Sequence, residues 1–324
     1  SPINESNAIM GIIEMLYYFV IGLSAILILI TVLNARFLDS LGRTLDSPHK
    51  TVPRHLVSIL VPARNEQHNI SKCLKALISQ DYQPLEILVL DDQSTDRTAQ
   101  IIDQFVALDP RVTLVRGTDL PYGWTGKNWA CHQLSREARG DILLFIDADT
   151  ILANGTVTAA VRDSVIIESD LLTIMPRRIA GCITERLMFP LIDWASFCWL
   201  PIRAAHKRGN PNLSATYGQF MLFKRAAYQD IGGHESVRGN PLDDFELGRR
   251  TKKHRLKWVL FEGVEWAQAL PYKGNMDALK AVSRSIFPAL YYRVSLLIVL
   301  SFVVLALGFV PLLMFAIGAT TDPL

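Results

Sequence analysis

The stretch Ile142–Thr150, "ILLFIDADT", is an apolar run that breaks into two carboxylates, Asp147 and Asp149, with one alanine between them. On an extended chain those two side chains share a face and repel each other, because strand side chains alternate with period two. A cation beside the pair relieves that repulsion, so the strand end is expected to meet a positive group or a positively compensated ligand. Upstream, the same pattern of an apolar run followed by a polar edge recurs. "LVSILVPA" (56–63), "LEILVLDD" (85–92) and "VTLVRG" (112–117) read as strands, with helical spacing over 66–79, 95–108 and 128–138 between them. Near-continuous apolar strands alternating with helices predict an α/β domain whose parallel sheet is covered on both faces. Ligands of such sheets sit beyond the carboxyl ends of the strands. Asp91, Asp92, Asp147 and Asp149 all fall at those ends, which marks that edge as the candidate site.

The flanks are of another kind. In a chain of 324 residues that is 50% hydrophobic, no charge occurs from Met15 to Leu33 or from Val294 to Thr321. At about 1.5 Å per residue the shorter run covers roughly 29 Å, enough to cross a hydrocarbon core. We expect membrane helices over 8–33 and 294–321, a juxtamembrane linker over 34–55 and a catalytic domain over 56–285. Neither end reads as a cleavable signal. Arg36, Arg43, Lys50 and Arg54 follow the first span, and Lys273, Lys280, Arg284 and Arg293 precede the second. The positive-inside rule then puts the middle domain in the cytosol, on a plasma or bacterial inner membrane. The alternative is a pair of buried core helices. A net charge of +2 gives no support to a nucleic-acid partner. Cys73, Cys131, Cys182 and Cys198 lack Cys-x-x-Cys spacing and read as reduced packing residues.

Bland roles compete for the acids: Asp91, Asp92 and Asp96 suit helix caps, and Asp147 and Asp149 suit a turn. Neither Gly-x-Gly-x-x-Gly nor Gly-Lys-Ser/Thr follows the first strand, which disfavours dinucleotide cofactors and P-loop hydrolysis. A nucleotide diphosphate held through a carboxylate-bound Mg²⁺ or Mn²⁺ remains, with Asp147 and Asp149 as metal ligands.

"VPARNE" (61–66), "VLDDQSTD" (89–96), "GWTGKNWA" (123–130), the "DADT" of 147–150 and "PLDDFELGRR" (241–250) together resemble the family 2 inverting glycosyltransferases. "LPYGWTGKNWACHQL", "GQFMLFKRAAYQDIGGHE" and "YKGNMDALKAVSRSIF" are similar to its membrane-attached branch, associated with carotenoids and hopanoids. The resemblance implies a GT-A type fold, a nucleotide-sugar donor such as a UDP-hexose, a divalent metal and a lipid or isoprenoid acceptor. By the same resemblance Pro62, Arg64, Glu66, Asp91 and Asp92 bind the nucleoside, and Lys127 reaches the base or diphosphate. Asp149 holds the metal while Asp147 helps or binds ribose, Asp244 is the general base, and Asp243 is its neighbour.

The Gln-x-x-Arg-Trp of processive synthases is replaced by "AVSRSIF" (281–287), leaving Arg284 as a diphosphate contact. One sugar per acceptor is therefore expected rather than a polymer. The segment 183–208 is rich in Leu, Phe and Trp, is broken by Pro190, Asp193 and Pro201, and carries Arg186, Arg203, Lys207 and Arg208. It suits an interfacial element that meets the bilayer and a lipid acceptor; the alternative is an ordinary core helix. Rival functions are a processive polysaccharide synthase, a nucleotidyltransferase, and a catalytically silent lipid-binding scaffold of the same fold. The missing glycine-rich first loop disfavours the nucleotidyltransferase, and the intact acids disfavour the scaffold.

Overall fold

The computed structural model describes residues 2–45, 54–207, 209–289 and 292–321. In chain order the elements are α1 (Pro2–Phe37), β1 (Val57–Ala63), α2 (Ile70–Ile78), β2 (Leu85–Asp91), α3 (Thr98–Leu108), β3 (Val112–Arg116), α4 (Gly126–Glu137) and β4 (Ile142–Phe145). There follow β5 (Thr150–Leu152), α5 (Thr156–Ile167), β6 (Leu171–Arg178), α6 (Ile183–Trp199), α7 (Ile202–Lys207) and β7 (Met221–Lys224). The chain continues with α8 (Arg225–Asp230), a 3-10 turn (His234–Val237), α9 (Asp243–Lys253), β8 (Trp258–Ala269), α10 (Asn275–Ala289) and α11 (Val294–Thr321).

The strands form one eight-stranded sheet in the order β3-β2-β1-β4-β7-β6-β8-β5. Its first half is parallel: β1 lies between β2 and β4, and β3 flanks β2. Alternate residues of β1 enter opposite cores. Ile59 and Val61 pack with Leu74 of α2, Ile102 of α3 and Val161 of α5. Leu60 packs with Leu134 of α4, Ile202 of α7 and Leu247 of α9. Both faces of the sheet are thus covered, as the continuous apolar runs required.

The second half departs from the all-parallel expectation. β7 runs antiparallel to both β4 and β6, and β5 antiparallel to β8. An apolar run reports burial, not direction, and four-residue β7 carries too little pattern to reveal either. The paired acids are a second correction. β4 ends at Phe145, and Thr150 N donates to Asp147 O at 3.0 Å, so Asp147–Thr150 is a turn rather than extended chain.

The expected linker is partly docked. Leu41 is buried, Leu41 N donates to Glu262 O at 2.9 Å, and the Asp163 carboxylate accepts from Gly42 N at 2.8 Å. Residues 38–45 therefore belong to the domain surface, because their backbone groups are satisfied by it. The rest of that linker, 46–53 with Lys50, lies outside the described residues, as does Arg208.

Two helices are long and apolar enough to cross a membrane, over Met15–Phe37 and Val294–Leu312, with only 11% and 6% of their apolar windows buried. α1 packs on α11, α6 and α7. α6 runs unbroken through Pro190 and Asp193, and the chain breaks only at Leu200–Pro201. Asp193 does not interrupt the helix because its carboxylate turns to Arg178 at the end of β6, with 3.5 Å between Nε and Oδ1.

Candidate functional site

The carboxyl ends of β1, β2 and β4 meet at one edge. Asp92 N donates to Ala63 O at 2.8 Å, and Ile146 N donates to Leu60 O at 3.0 Å, so the acids that follow β2 and β4 arrive beside the β1 end. A cavity of about 390 Å³ opens there. Pro62, Arg64 and Glu66 line it from β1 and its loop, Asp92 from the β2 end, Asp147 and Asp149 from the turn, and Arg284 from α10. The N-terminus of α4 contributes Gly126 and Lys127. Eight of the residues singled out from sequence therefore share one cavity.

Asp91 does not line it. Its carboxylate accepts from Ser94 N at 3.3 Å and pairs with Arg116 at 3.4 Å, the turn-forming role. Asp92 faces the cavity beside Arg64, 3.3 Å from Nη1. The loops after β1 and β2 are fastened together by Asn65, which sits at φ 58° and accepts from Thr95 N at 2.8 Å. Asparagine tolerates that left-handed backbone, and its short amide bonds locally.

The cation demanded by the paired acids is Lys127, whose Nζ lies 2.7 Å from Asp147 Oδ1. Burial alone would favour the neutral amine, but Asp147, Asp243 and Asp244 outweigh it and hold Lys127 firmly protonated. Asp149 is less well served. Burial, then the charges of Asp147 and Glu66, push its carboxyl up to about 7, against the pull of Lys127. A further positive charge would relieve it.

That demand tests the fit of a divalent ion. No group of three His, Cys, Asp or Glu side chains that could hold a metal occurs among the described residues. Two carboxylates in one turn fit a hard ion that completes its shell with phosphate oxygens and water, as Mg²⁺ does.

Asp243 and Asp244 open α9 on the far side of Lys127. Gly218 stands between: its N–H donates to Asp244 Oδ2 at 2.9 Å, and a Cβ there would lie 3.0 Å from that oxygen and 3.2 Å from Lys127 Nζ. Any side chain at 218 would therefore push the lysine and the acid apart. Asp244 is half-buried and, like Asp243, does not line the donor-side cavity. Burial and then Asp243 push its carboxyl up to about 6, while Lys127 opposes. Asp243 goes the other way. Burial would raise it, but Lys127 and His234 hold it down at about 2. Adjacent acids in such different environments are suited to different tasks.

Several positioning residues escaped the sequence reading. His234 is fully buried, with Nε2 3.5 Å from Asp243 Oδ2 and Nδ1 2.7 Å from Tyr228 Oη. His234 N–H donates to the same Tyr228 oxygen at 3.0 Å. The tyrosine proton is then directed to Nδ1, which leaves the imidazole proton on Nε2, facing Asp243. Asn128, also buried, donates to Val237 O and Asn240 O at 2.8 and 2.9 Å. It ties the α4 end that carries Lys127 to the loop that leads into Asp243. The only signal for either was a polar residue inside a quoted motif, "IGGHE" and "TGKNWA".

Residues 58–232 match the family described as Glycosyl transferase family 2. Among similar proteins, a 4,4'-diaponeurosporenoate glycosyltransferase of Staphylococcus haemolyticus is 30% identical over 230 residues, 69% of this chain and 58% of that protein. Its Staphylococcus aureus (bovine RF122) namesake is 27% identical over 242 residues, 74% and 61%. The chain thus spans about three-fifths of the length of the curated relatives it matches. A mannosyltransferase from Pyrobaculum calidifontis, solved with GDP-Man and Mn²⁺, superposes with a TM-score of 0.56 at 21% identity, covering 95% of this chain and 88% of that one. A glucosyl-3-phosphoglycerate synthase from Mycobacterium tuberculosis, solved with Mn²⁺, UDP and its product, gives 0.50 at 22% identity, covering 78% and 86%. These likenesses establish the GT-A type fold.

Proposed function

The chain belongs to glycosyl transferase family 2, and from that premise we propose that it moves one hexose from a nucleotide-diphosphate donor to a membrane lipid. The observation that carries the reading is the single cation Lys127 set between two acid groups, the Asp147–Asp149 turn on one side and Asp243–Asp244 on the other.

The donor's nucleoside lies along Pro62, Arg64, Glu66 and Asp92, and its diphosphate meets the N-terminus of α4, Lys127 and Arg284. Helix N-termini favour anions through their free N–H groups and dipole. Asp147 and Asp149 would hold a divalent ion, which would supply positive charge beside the leaving diphosphate. Lys127 adds fixed charge that needs no reorganisation during reaction. Asp244 takes the proton from the acceptor hydroxyl or carboxyl as that oxygen attacks the anomeric carbon and the bond to the diphosphate breaks. One displacement inverts the configuration.

The two solved neighbours contain GDP-Man in one case and UDP in the other, and both contain Mn²⁺. A UDP-hexose is our first choice of donor, and Mg²⁺ or Mn²⁺ the metal. The relatives' name, 4,4'-diaponeurosporenoate glycosyltransferase, supports an isoprenoid-type acceptor. α1, α11 and the apolar face of α6 supply the bilayer contact that such an acceptor needs, with the domain on the cytosolic side.

The test is turnover of a panel of nucleotide sugars by the full chain in lipid, with and without divalent ion. Asp149→Ala should abolish metal-dependent turnover in a protein that melts like wild type. Unchanged turnover and metal response in that variant would remove Asp149 from the metal site. No turnover of any donor by the wild type would favour the silent scaffold.

A further inference from the structure

Where α1 leaves its apolar stretch it forms, with α7, an open groove of about 320 Å³. One wall is Ile30, Leu33 and Phe37 of α1, and the other is formed by Pro201 and Ala204. Arg203 and Lys207, one helical turn apart on α7, stand at its rim and are both exposed. The Arg203 guanidinium lies over the Phe37 ring, 4.5 Å from its centroid. Among the described residues no acid stands within ion-pair distance of either cation, whereas Arg43, just past α1, is paired with Asp39.

The groove walls are held in place before anything binds. The Lys252 ammonium, buried on α9, donates to Ala205 O at 2.6 Å and fixes α7 from beneath. Asn34 bonds both sides of the α6–α7 break and fixes α1 against it. A preformed site costs less to fill than one that must order on binding.

The geometry points to a bound anionic phospholipid here: its phosphate between Arg203 and Lys207, its first acyl carbons against Ile30 and Leu33. Three features select this occupant. The apolar wall continues directly into the exposed apolar surface of α1, so a chain lying in it need not leave the bilayer. Two cations four residues apart face the same way on a helix and can grip one phosphate from two sides. Finally, no acid among the described residues pairs with either cation, so a zwitterionic headgroup would satisfy them less well than an anionic one. The groove shares no lining residue with the cavity proposed for the sugar donor. It rests on the membrane reading of α1, not on the reaction proposed above.

The experiment is native mass spectrometry of the full chain ejected from nanodiscs made of equal parts phosphatidylglycerol and phosphatidylcholine with identical acyl chains. Wild type should retain one phosphatidylglycerol per chain, at least tenfold in preference to phosphatidylcholine. Arg203→Gln with Lys207→Gln should erase that preference. Leu33→Trp, which fills the groove and leaves both charges in place, should lose retention of either lipid. Melting temperature checks that both variants are folded, and a charge-only effect in a folded double variant cannot come from unfolding. Equal retention of the two lipids by wild type, or an unchanged preference in both variants, overturns the proposal. A chain that fails to enter nanodiscs overturns the membrane reading and this site together, while entry without preference overturns the site alone.

Discussion

At the scale of single residues, the chemistry turns on how one lysine divides its charge. Asp244 is pushed up to about 6, so it is mostly ionised at neutral pH yet basic enough to accept a proton. A base must be deprotonated to act, so transfer should be flat above about pH 7 and fall as pH drops through about 6. Asp244→Asn should keep donor binding and lose roughly a hundredfold or more in transfer, the usual size for a positioned base. Near wild-type transfer by that variant, or a flat rate from pH 5 to 8 in wild type, would move the base elsewhere. His234 acts one step back. His234→Leu would take the acceptor from the Tyr228 O–H and the imidazole from beside Asp243 Oδ2, at about 1–3 kcal/mol for the unpaired hydroxyl proton. Lower kcat with unchanged donor KM is expected, with partial recovery in His234→Gln, which still offers an N–H. Equal kcat in the leucine variant would reduce His234 to packing. That Asp147, Asp149 and Asp92 gather at one edge was legible in sequence, because each follows an apolar strand of the same sheet. Asp91, expected at the same site, instead turns to Ser94 N and Arg116, partners that sequence does not reveal. Asn128 was silent because its partners lie 109 and 112 residues away, and His234 because a buried histidine leaves no local pattern even with Tyr228 and Asp243 close in sequence.

Among elements, the parallel half of the sheet was legible because β1 to β4 each alternate with a helix, and the second half was not. β7 is inserted antiparallel between β4 and β6, a choice made by tertiary pairing that no local period encodes. α6 shows a comparable limit. Its prolines read as breaks, yet the helix continues through Pro190, and its exposed side decides what it is for. Ile183, Leu187, Leu191 and Trp194 are 67%, 65%, 50% and 37% exposed, at spacings that fall on one helix face. Trp199 joins Trp194 edge-on at 6.2 Å. An exposed position tolerates a charge in water, where surface substitutions usually cost under about 0.5 kcal/mol. In a lipid contact the same charge is costly. Trp194→Glu should therefore leave melting temperature and slow donor hydrolysis intact while lowering transfer to a lipid acceptor tenfold or more. A parallel loss of both rates with a lower melting temperature would make α6 an ordinary structural helix.

On the scale of the whole molecule, the question is how the two apolar helices are joined to the glycosyltransferase domain. The junction is specific. Pro201 lacks an N–H and ends α6, leaving polar backbone groups on both sides of the break. The buried Asn34 side chain of α1 takes them up: Nδ2 donates to Phe197 O at 2.5 Å and Leu200 O at 2.7 Å, and Oδ1 accepts from Ile202 N at 3.0 Å. One asparagine thus sets the angle at which α6, and with it the exposed apolar face, meets α1. Asn34→Leu preserves approximate size and the apolar character of α1, so association with the membrane should not change. It orphans up to three backbone groups at about 1–3 kcal/mol each if none finds water. The loss falls at the junction, and Asn34 does not line the cavity proposed for the donor. Donor hydrolysis should therefore survive, while transfer to a lipid acceptor drops as α6 loses its fixed orientation to the bilayer. The measurement is the ratio of transfer to hydrolysis in lipid, with sedimentation confirming that the variant remains membrane-bound. A ratio equal to wild type would mean that the anchors merely tether the domain, and that the acceptor reaches Asp244 by a route independent of α6.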